Sequence, residues 1–376
     1  MDEKQIWQNT SIENLLYPKA EKNNIPLSGT FELSPLCNFN CRMCYIKMSA
    51  EEMKKHQKEA MTLEKWKKIA DQVQNEGMLY LLLTGGEPFL WPDFWELYAY
   101  LMKLGFVISI NTNASLINDK VIARLCENPP CRINITLYGA SEETYERLCG
   151  NGMGYAGTVR AIKALKAAGI LVKLNASLTP YNAQDLEKIV QFAKENELLL
   201  DVTPYMFPPI RKNPDSVGEN DRFTAEETAY WQIRKMQLQM DEKTYVEYLK
   251  AIRDNMIDPS GLCREVEDGN VLCRAGRTSF WITWNGKMTP CGMLNCPEVD
   301  LREYSFQDAW KKIVSETEKM RVSGVCKSCR NHKVCHSCAA VAYTETGAFN
   351  GIPEYMCRMT QAMKKIAINQ LEIYGA

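Results

Sequence analysis

The chain has 376 residues, 45% hydrophobic and 24% charged, with a formal net charge of −1. This is an ordinary globular composition able to bury a sizeable core. It carries no general electrostatic pull toward nucleic acid or anionic membrane, and no apolar run approaches the roughly 18 residues of a membrane span. The start, Met1-Asp-Glu-Lys-Gln-Ile-Trp7, has no secretory signature, so a cytoplasmic location is expected. Fifteen cysteines in such a chain read as metal ligands rather than a disulfide framework. With only His56, His332 and His336 available, histidine-rich metal sites are disfavoured.

Residues 1–28 are polar and contain Pro18, Asn23-Asn24 and Pro26; they read as a lead-in segment holding a short helix. From residue 29 strand and helix signals alternate. β-type runs fall at 30–34, 78–84, 106–111, 132–138, 170–178 and 198–203. Helical stretches lie near 62–76, 92–104, 117–126, 155–168 and 182–195, and Gly105 and Gly169 follow two of them, where a left-handed cap is expected. The alternation predicts an α/β fold with a parallel sheet or barrel, and six strands are too few for a complete eight-stranded barrel. The Pro- and Asn-rich stretch 205–222 reads as a linker and 224–256 as helical.

The first strand runs into Ser34-Pro-Leu-Cys-Asn-Phe-Asn-Cys-Arg-Met-Cys-Tyr45, which places Cys37, Cys41 and Cys44 at C-x3-C-x2-C spacing. Three thiolates can hold three corners of a [4Fe–4S] cube and leave one iron open for chemistry. A structural zinc site needs four ligands in a closed tetrahedron, and this loop offers no histidine and no fourth cysteine. One strand later comes Thr84-Gly-Gly-Glu-Pro88. Glycines here let the backbone approach a ligand. The third strand ends in Asn111-Thr-Asn-Ala114 and the fourth reads Ile133-Asn-Ile-Thr-Leu-Tyr-Gly139.

The cysteine loop with its following aromatic residue, and the Gly-Gly-Glu-Pro turn after it, resemble the radical S-adenosylmethionine (SAM) enzymes. That resemblance implies a partial (β/α)6 TIM-like barrel over 29–222. It implies an open-iron cluster that chelates SAM and cleaves it to methionine and a 5′-deoxyadenosyl radical. By the same resemblance Gly85, Gly86, Glu87 and Pro88 hold the SAM ammonium group, Thr136 bonds the ribose and Arg160 pairs with the carboxylate, a task suited to two parallel guanidinium donors. Asn113 and Ser177, with Asn111 and Asn175, lie at strand ends and line the site with less weight. Where the family usually has glycine, this chain has Ala114.

Beyond a helical bridging region at 223–262, cysteine density rises in 263–376. Trp281-Ile-Thr-Trp-Asn-Gly-Lys-Met-Thr-Pro-Cys291 reads as a β-hairpin turning at Asn285-Gly286. Cys326, Cys329, Cys335 and Cys338 follow as C-x2-C-x5-C-x2-C, then Cys357. Paired C-x2-C knuckles also build zinc ribbons. Behind a radical SAM-like region the array resembles the SPASM domain, although the family's last spacer is usually three residues. The resemblance implies two auxiliary [4Fe–4S] clusters, one on Cys263, Cys273, Cys291 and Cys338, the other on Cys326, Cys329, Cys335 and Cys357, hence three clusters in all. Cys126, Cys131, Cys149 and Cys296 remain and read as small buried hydrophobes. Cys296 has two sharper alternatives: replacing Cys263 as a ligand, or donating hydrogen to a substrate radical.

SPASM proteins mostly modify peptides, which makes a ribosomally made peptide the expected substrate, crosslinked or epimerised. The alternatives are a small molecule such as a sugar, and a non-enzymatic iron–sulfur or zinc scaffold. The sulfatase-maturing branch carries an aspartate after the cysteine matching Cys291. Here Gly292 stands there and cannot take a proton, so that branch ranks low. Another base would come from Tyr205, Glu265, Glu267 or Asp268, which the sequence does not rank. About 28 residues before the first barrel strand are too few for an independent leader-binding domain. Leader recognition is then expected from the barrel surface or from a separate protein, or else the substrate has no leader. The expected electron source is a one-electron donor such as flavodoxin or ferredoxin.

Overall fold

The computed structural model describes residues 12–256, 273–335 and 337–375. Strand and helix alternate in chain order, as their apolar periods predict. The strands are β1 (Ser28–Glu32), β2 (Tyr80–Thr84), β3 (Val107–Thr112), β4 (Arg132–Thr136), β5 (Val172–Ser177), β6 (Leu199–Thr203), β7 (Ser279–Ile282), β8 (Lys287–Thr289) and β9 (Val299–Asp300). Gly105 and Gly169 adopt φ of 82° and 75°, the left-handed geometry expected after a helix. No helix among the described residues is long and apolar enough to cross a membrane.

The chain divides into two compact units, and the division does not follow chain order. Of the described residues, the first gathers 12–36, 48–110 and 273–319. Its strands run β3-β2-β1-β7-β8-β9. β2 pairs parallel with β1 and with β3. The hairpin expected at 281–291 forms, with Gly286 at φ 79° in its turn and β7 antiparallel to β8. Its first strand also pairs parallel with β1, Ser28 opposite Ser279 through Phe31 opposite Ile282. The hairpin is therefore a continuation of the α/β sheet. The helix Leu63–Asn75 buries Trp66, Ile69, Ala70 and Val73, an i, i+3, i+4, i+7 stripe, and Trp66 stacks on Phe31 of β1 at 4.8 Å.

Of the described residues, the second unit gathers 37–47, 111–256, 320–335 and 337–375. β4, β5 and β6 are parallel, with Thr136 opposite Asn175 and Ser177 opposite Thr203. From the helix Ala225–Gln239, Lys235 donates to the Val202 carbonyl at 2.5 Å and Gln239 to the Leu200 carbonyl at 3.1 Å. These bonds occupy backbone acceptors on β6 that an exposed strand edge would leave open to another chain. Burial pushes the Lys235 ammonium down to about 8. The same helix and Glu242–Arg253 share an apolar core with the C-terminal helix Glu354–Ile373, built on Ala229, Ile233, Leu249, Met356, Met359 and Met363.

One ion pair lies inside this unit. Arg222 grips Glu345 through two bonds of 2.6 and 2.9 Å, and both side chains are only 5% exposed. Tyr205 donates to the same carboxylate at 2.5 Å, and the guanidinium lies 4.0 Å from the centre of the Tyr355 ring. The proline-rich stretch expected as a linker is thus fastened by buried side chains at both ends.

Candidate functional site

The cysteine loop is folded over the end of a helix. Asn40 and Arg42 donate their backbone N–H groups to the carbonyls of Cys149 and Leu148, at 2.7 and 3.1 Å. These residues close the helix Glu142–Cys149, so its orphan carbonyls anchor the loop. Phe39 is buried and packs edge-on against Tyr138 and Tyr145. Cys37, Cys41 and Cys44 are left half-buried, as free thiols.

Donors converge on two of the three sulfurs, those of Cys37 and Cys44. The Phe39 backbone N–H lies 3.4 Å from Cys37 Sγ and the Lys47 N–H 3.3 Å from Cys44 Sγ. Asn113 Nδ2 reaches Cys37 Sγ at 3.7 Å and Asn38 Oδ1 at 2.9 Å. Ser115 closes this network: its Oγ donates to Asn113 Oδ1 at 2.6 Å and accepts from Asn38 Nδ2 at 2.8 Å. Cys41 is held below the ordinary thiol range, chiefly by the neighbouring Cys149 thiol and against burial, with Tyr138 lowering it less. Cys149 is pushed up in turn, first by its bond to Cys41 and then by burial. Burial pushes Cys44 up.

The ligand form of cysteine is the thiolate, and hydrogen bonds to sulfur tune an iron–sulfur cluster. An all-sulfur donor set with N–H groups aimed at two of its sulfurs fits a [4Fe–4S] cluster. Among the described residues no three Cys, His, Asp or Glu side chains meet at a single metal-sized point.

The Gly-Gly-Glu-Pro turn packs on the segment that leads into Cys37. Gly86 N–H donates to Ser34 O at 2.7 Å and Glu87 N–H to Leu36 O at 2.9 Å. A Cβ on Gly86 would lie 2.3 Å from the Leu36 carbonyl oxygen, and one on Gly85 2.5 Å from that of Ser34. Glu87 is buried and accepts from Phe89 N–H at 3.2 Å, which starts the turn Pro88–Leu90. The contact is backbone against backbone, so nothing nearby can yield cheaply. Gly86→Ala is expected to displace the loop and weaken SAM binding by about tenfold or more, roughly the 1–3 kcal/mol of an overpacked site. Equilibrium dialysis against SAM checks this; unchanged affinity would contradict it.

The other sequence-predicted residues are placed as follows. Thr136 and Ser177 end β4 and β5 and are half-buried, and Asn113 is buried beside the cysteine loop. Arg160 is exposed on the helix Gly154–Ala167. Ala114 is fully buried at φ 60°, the left-handed region where glycine is at ease, which explains the family's usual glycine there. Cys273, Cys291 and Cys296 are half-buried in the first unit, and Cys291 Sγ accepts from Met293 N–H at 3.5 Å. Cys263, Glu265, Glu267 and Asp268 lie outside the described residues. In the second unit Cys326, Cys335 and Cys357 are pushed up, each first by burial and then by neighbouring thiols among Cys326, Cys329 and Cys357. Cys338 caps the helix Ala339–Thr346, its sulfur accepting from Val341 N–H at 3.5 Å.

Three readings change. Cys126 and Cys131 are exposed rather than buried: Leu125 is the buried residue of the helix Asp119–Glu127, and Cys126 faces outward beside it. Cys149 is buried, as expected of a small hydrophobe, and its carbonyl also anchors the cysteine loop through Asn40. Tyr205, a candidate base, donates its proton to Glu345 at 2.5 Å, and burial followed by that carboxylate raises its phenol further.

Several residues had no sequence signal. Asn38 lies within the loop, while Ser115, Tyr138 and Cys149 meet it from separate parts of the chain. Glu32 is fully buried at the end of β1 and accepts from Trp281 Nε1 at 2.9 Å. Trp281 in turn fills the space above Gly292, where a Cβ would meet its ring at 2.6 Å. An aspartate at 292 is thus sterically refused as well as absent.

The Radical SAM superfamily pattern matches residues 31–193. The chain is similar to the AdoMet-dependent heme synthase of Methanosarcina barkeri, 25% identical over 335 residues, 87% of this chain and 95% of that protein. It is also similar to the mycofactocin maturase MftC of Mycobacterium tuberculosis, 26% identical over 336 residues, 87% of this chain and 81% of that one. Among solved structures, Streptococcus suis SuiB bound to precursor peptide SuiA matches with a TM-score of 0.63 at 19% identity, covering 95% of this chain and 81% of SuiB. At that identity the likeness speaks for the α/β fold.

Proposed function

The chain belongs to the radical SAM superfamily, with a cysteine-rich C-terminal region of SPASM type, and from that premise we propose that it modifies a ribosomally made peptide by radical chemistry. The observation that carries this reading is the trio Cys37, Cys41 and Cys44, with N–H donors aimed at Cys37 and Cys44, in a chain that matches a peptide maturase along most of its length. These three thiolates would hold a [4Fe–4S] cluster, and that cluster would supply the electron for reductive cleavage of SAM.

The chain's own residues bind and orient. The turn Gly85-Gly86-Glu87-Pro88 serves the SAM ammonium, which as a donor needs backbone acceptors. Thr136 serves the ribose, Arg160 the carboxylate, and Asn113 and Ser177 the rim of the site. Asn113 also steadies Cys37. Residues 29–222 form the SAM-binding part, 223–262 a bridge, and 263–376 the auxiliary part. There Cys326, Cys329, Cys335 and Cys357 hold one cluster. Cys273, Cys291 and Cys338 hold a second with Cys263, or with Cys296, whose other role is hydrogen donor to a substrate radical. A one-electron carrier protein and, where the substrate has a leader, a separate recognition protein complete the system.

Anaerobic turnover with candidate precursor peptides, read by mass spectrometry, tests this. The expected result is 5′-deoxyadenosine together with a peptide that loses two hydrogens on crosslinking, or takes up solvent deuterium on epimerisation. SAM cleavage with no change in any peptide would favour the second reading, a small-molecule substrate, which the match to a heme synthase supports.

A further inference from the structure

β9 is the last strand of its sheet and, among the described residues, pairs only with β8. Leu301 donates its backbone N–H to the Gly286 carbonyl at 2.9 Å. Backbone groups alternate in direction along a strand, so Val299 and Leu301 turn theirs toward β8 while Glu298 and Asp300 turn theirs outward. The Asp300 carbonyl is closed off by the N–H groups of Glu303 and Tyr304, each at 3.1 Å. That leaves the Glu298 N–H, the Glu298 carbonyl and the Asp300 N–H, none of which has a hydrogen-bond partner among the described residues. This edge borders a cavity of about 700 Å³, lined by Glu298, Asp300 and Tyr304 on one side and by Lys311, Lys312 and Ser315 of the helix Phe306–Lys319 on the other.

The two walls differ in charge. On the strand side the carboxylates are answered within the chain: Asp300 by Lys287 at 3.1 Å and Arg302 at 2.5 Å, and Glu298 by Lys287 at 3.4 Å. Glu303 lies near the Arg302 charge. On the helix side Glu316 is spent on Lys319 at 2.6 Å. Lys312 stands over the Tyr304 ring, 3.3 Å from its centre, and both Lys311 and Lys312 are exposed with no carboxylate partner among the described residues. The groove therefore offers two things to one visitor: open backbone groups along its strand wall and uncompensated positive charge along its helix wall.

We propose that this groove docks an extended, acidic segment of the substrate peptide as an added strand on β9. The inference rests on the proposed reading of the substrate as a peptide. Main-chain bonds to an open sheet edge give affinity to any extended peptide, and side-chain contacts then choose among peptides; here Lys311 and Lys312 choose for acidic side chains. A second copy of this chain is a poorer occupant. The open stretch ends at the Asp300 turn on one side and on the other at Pro297, which has no N–H to donate, and so short an edge resists the pairing of two sheets.

The probe is a fluorescein-labelled octapeptide of alternating valine and glutamate, titrated by anisotropy into the anaerobically reconstituted holoenzyme. It binds, and an octapeptide of alternating valine and lysine binds about tenfold or more weakly, since like charges across an interface are strongly disfavoured. The variant Lys311→Glu/Lys312→Glu reverses this preference, and because both side chains are exposed it keeps the fold. Methylating the backbone nitrogens of alternate residues separates a strand ladder from simple charge attraction. N-methyl groups in one phase abolish binding and in the other phase leave it intact, because only every second residue of an added strand donates to β9. Equal affinity for the acidic and basic peptides, or equal tolerance of N-methylation in both phases, overturns the proposal. So does dimerisation of the wild-type chain in light scattering with no affinity for the octapeptide. Affinity is read without turnover, so the two readings fail separately. Phase-sensitive binding by a protein that modifies no peptide counts against the proposed reaction and upholds the groove, whereas a precursor modified with the same KM by wild type and variant counts against the groove alone.

Discussion

Replacing Cys37, Cys41 and Cys44 together with alanine abolishes SAM cleavage and removes about four iron atoms per chain, one cluster's worth, while the remaining iron and sulfide stay bound. The chemistry requires an open iron, and only this loop offers three thiolates without a fourth nearby in sequence. The variant is expected to fold. The loop's backbone bonds to Cys149 and Leu148 and the packing of Phe39 do not depend on the three sulfurs. What is lost is a handful of weak bonds to sulfur, such as those from Phe39, Lys47 and Asn113. Iron and sulfide analysis, with chromatography for 5′-deoxyadenosine, reads both outcomes. Cleavage retained by the triple variant would refute the assignment.

The second large effect is on stability. Arg222→Ala is expected to cost about 3–5 kcal/mol, because it strands the Glu345 carboxylate in a buried site. That carboxylate now receives two bonds from Arg222 and one from Tyr205. The double variant Arg222→Met/Glu345→Met is expected to lose less than Arg222→Ala. It removes both charges and keeps apolar volume, so the penalty of an unpaired ion disappears. Urea denaturation of the three proteins under one set of conditions measures this. A loss under about 1 kcal/mol for Arg222→Ala would place the pair with exposed salt bridges, which contribute little.

What could be read from the sequence was local. The C-x3-C-x2-C spacing, the Gly-Gly-Glu-Pro turn and the Asn285-Gly286 hairpin each lie within a dozen residues, where spacing and backbone preference decide the outcome. The strand–helix alternation through β6 was legible for the same reason, since apolar period is a short-range signal. What was not legible depends on contacts between distant residues. The hairpin turn announces the antiparallel partner of β7 but says nothing of β1, some 250 residues earlier, with which β7 pairs in parallel. Asn38 and Asn113 lie 75 residues apart, and neither carries a motif that marks it as a support of Cys37.

Residue type also misled where it stood for an average. Cysteine is among the most buried residues in general, yet Cys126 and Cys131 face outward while Cys149 does not. The glycine after Cys291 was read correctly as unable to act as a base. Its steric reason, the Trp281 ring at 2.6 Å from any added Cβ, needed the fold. The donors on Cys37 and Cys44 are the part of the site that geometry adds to the spacing rule.

The most direct measurement of the central claim is made on the wild-type protein, purified and reconstituted without oxygen, then given SAM and dithionite. Iron and sulfide in the purified protein, with formation of 5′-deoxyadenosine and methionine in equal amounts, is the predicted result. A protein that holds only zinc and leaves SAM intact would contradict it.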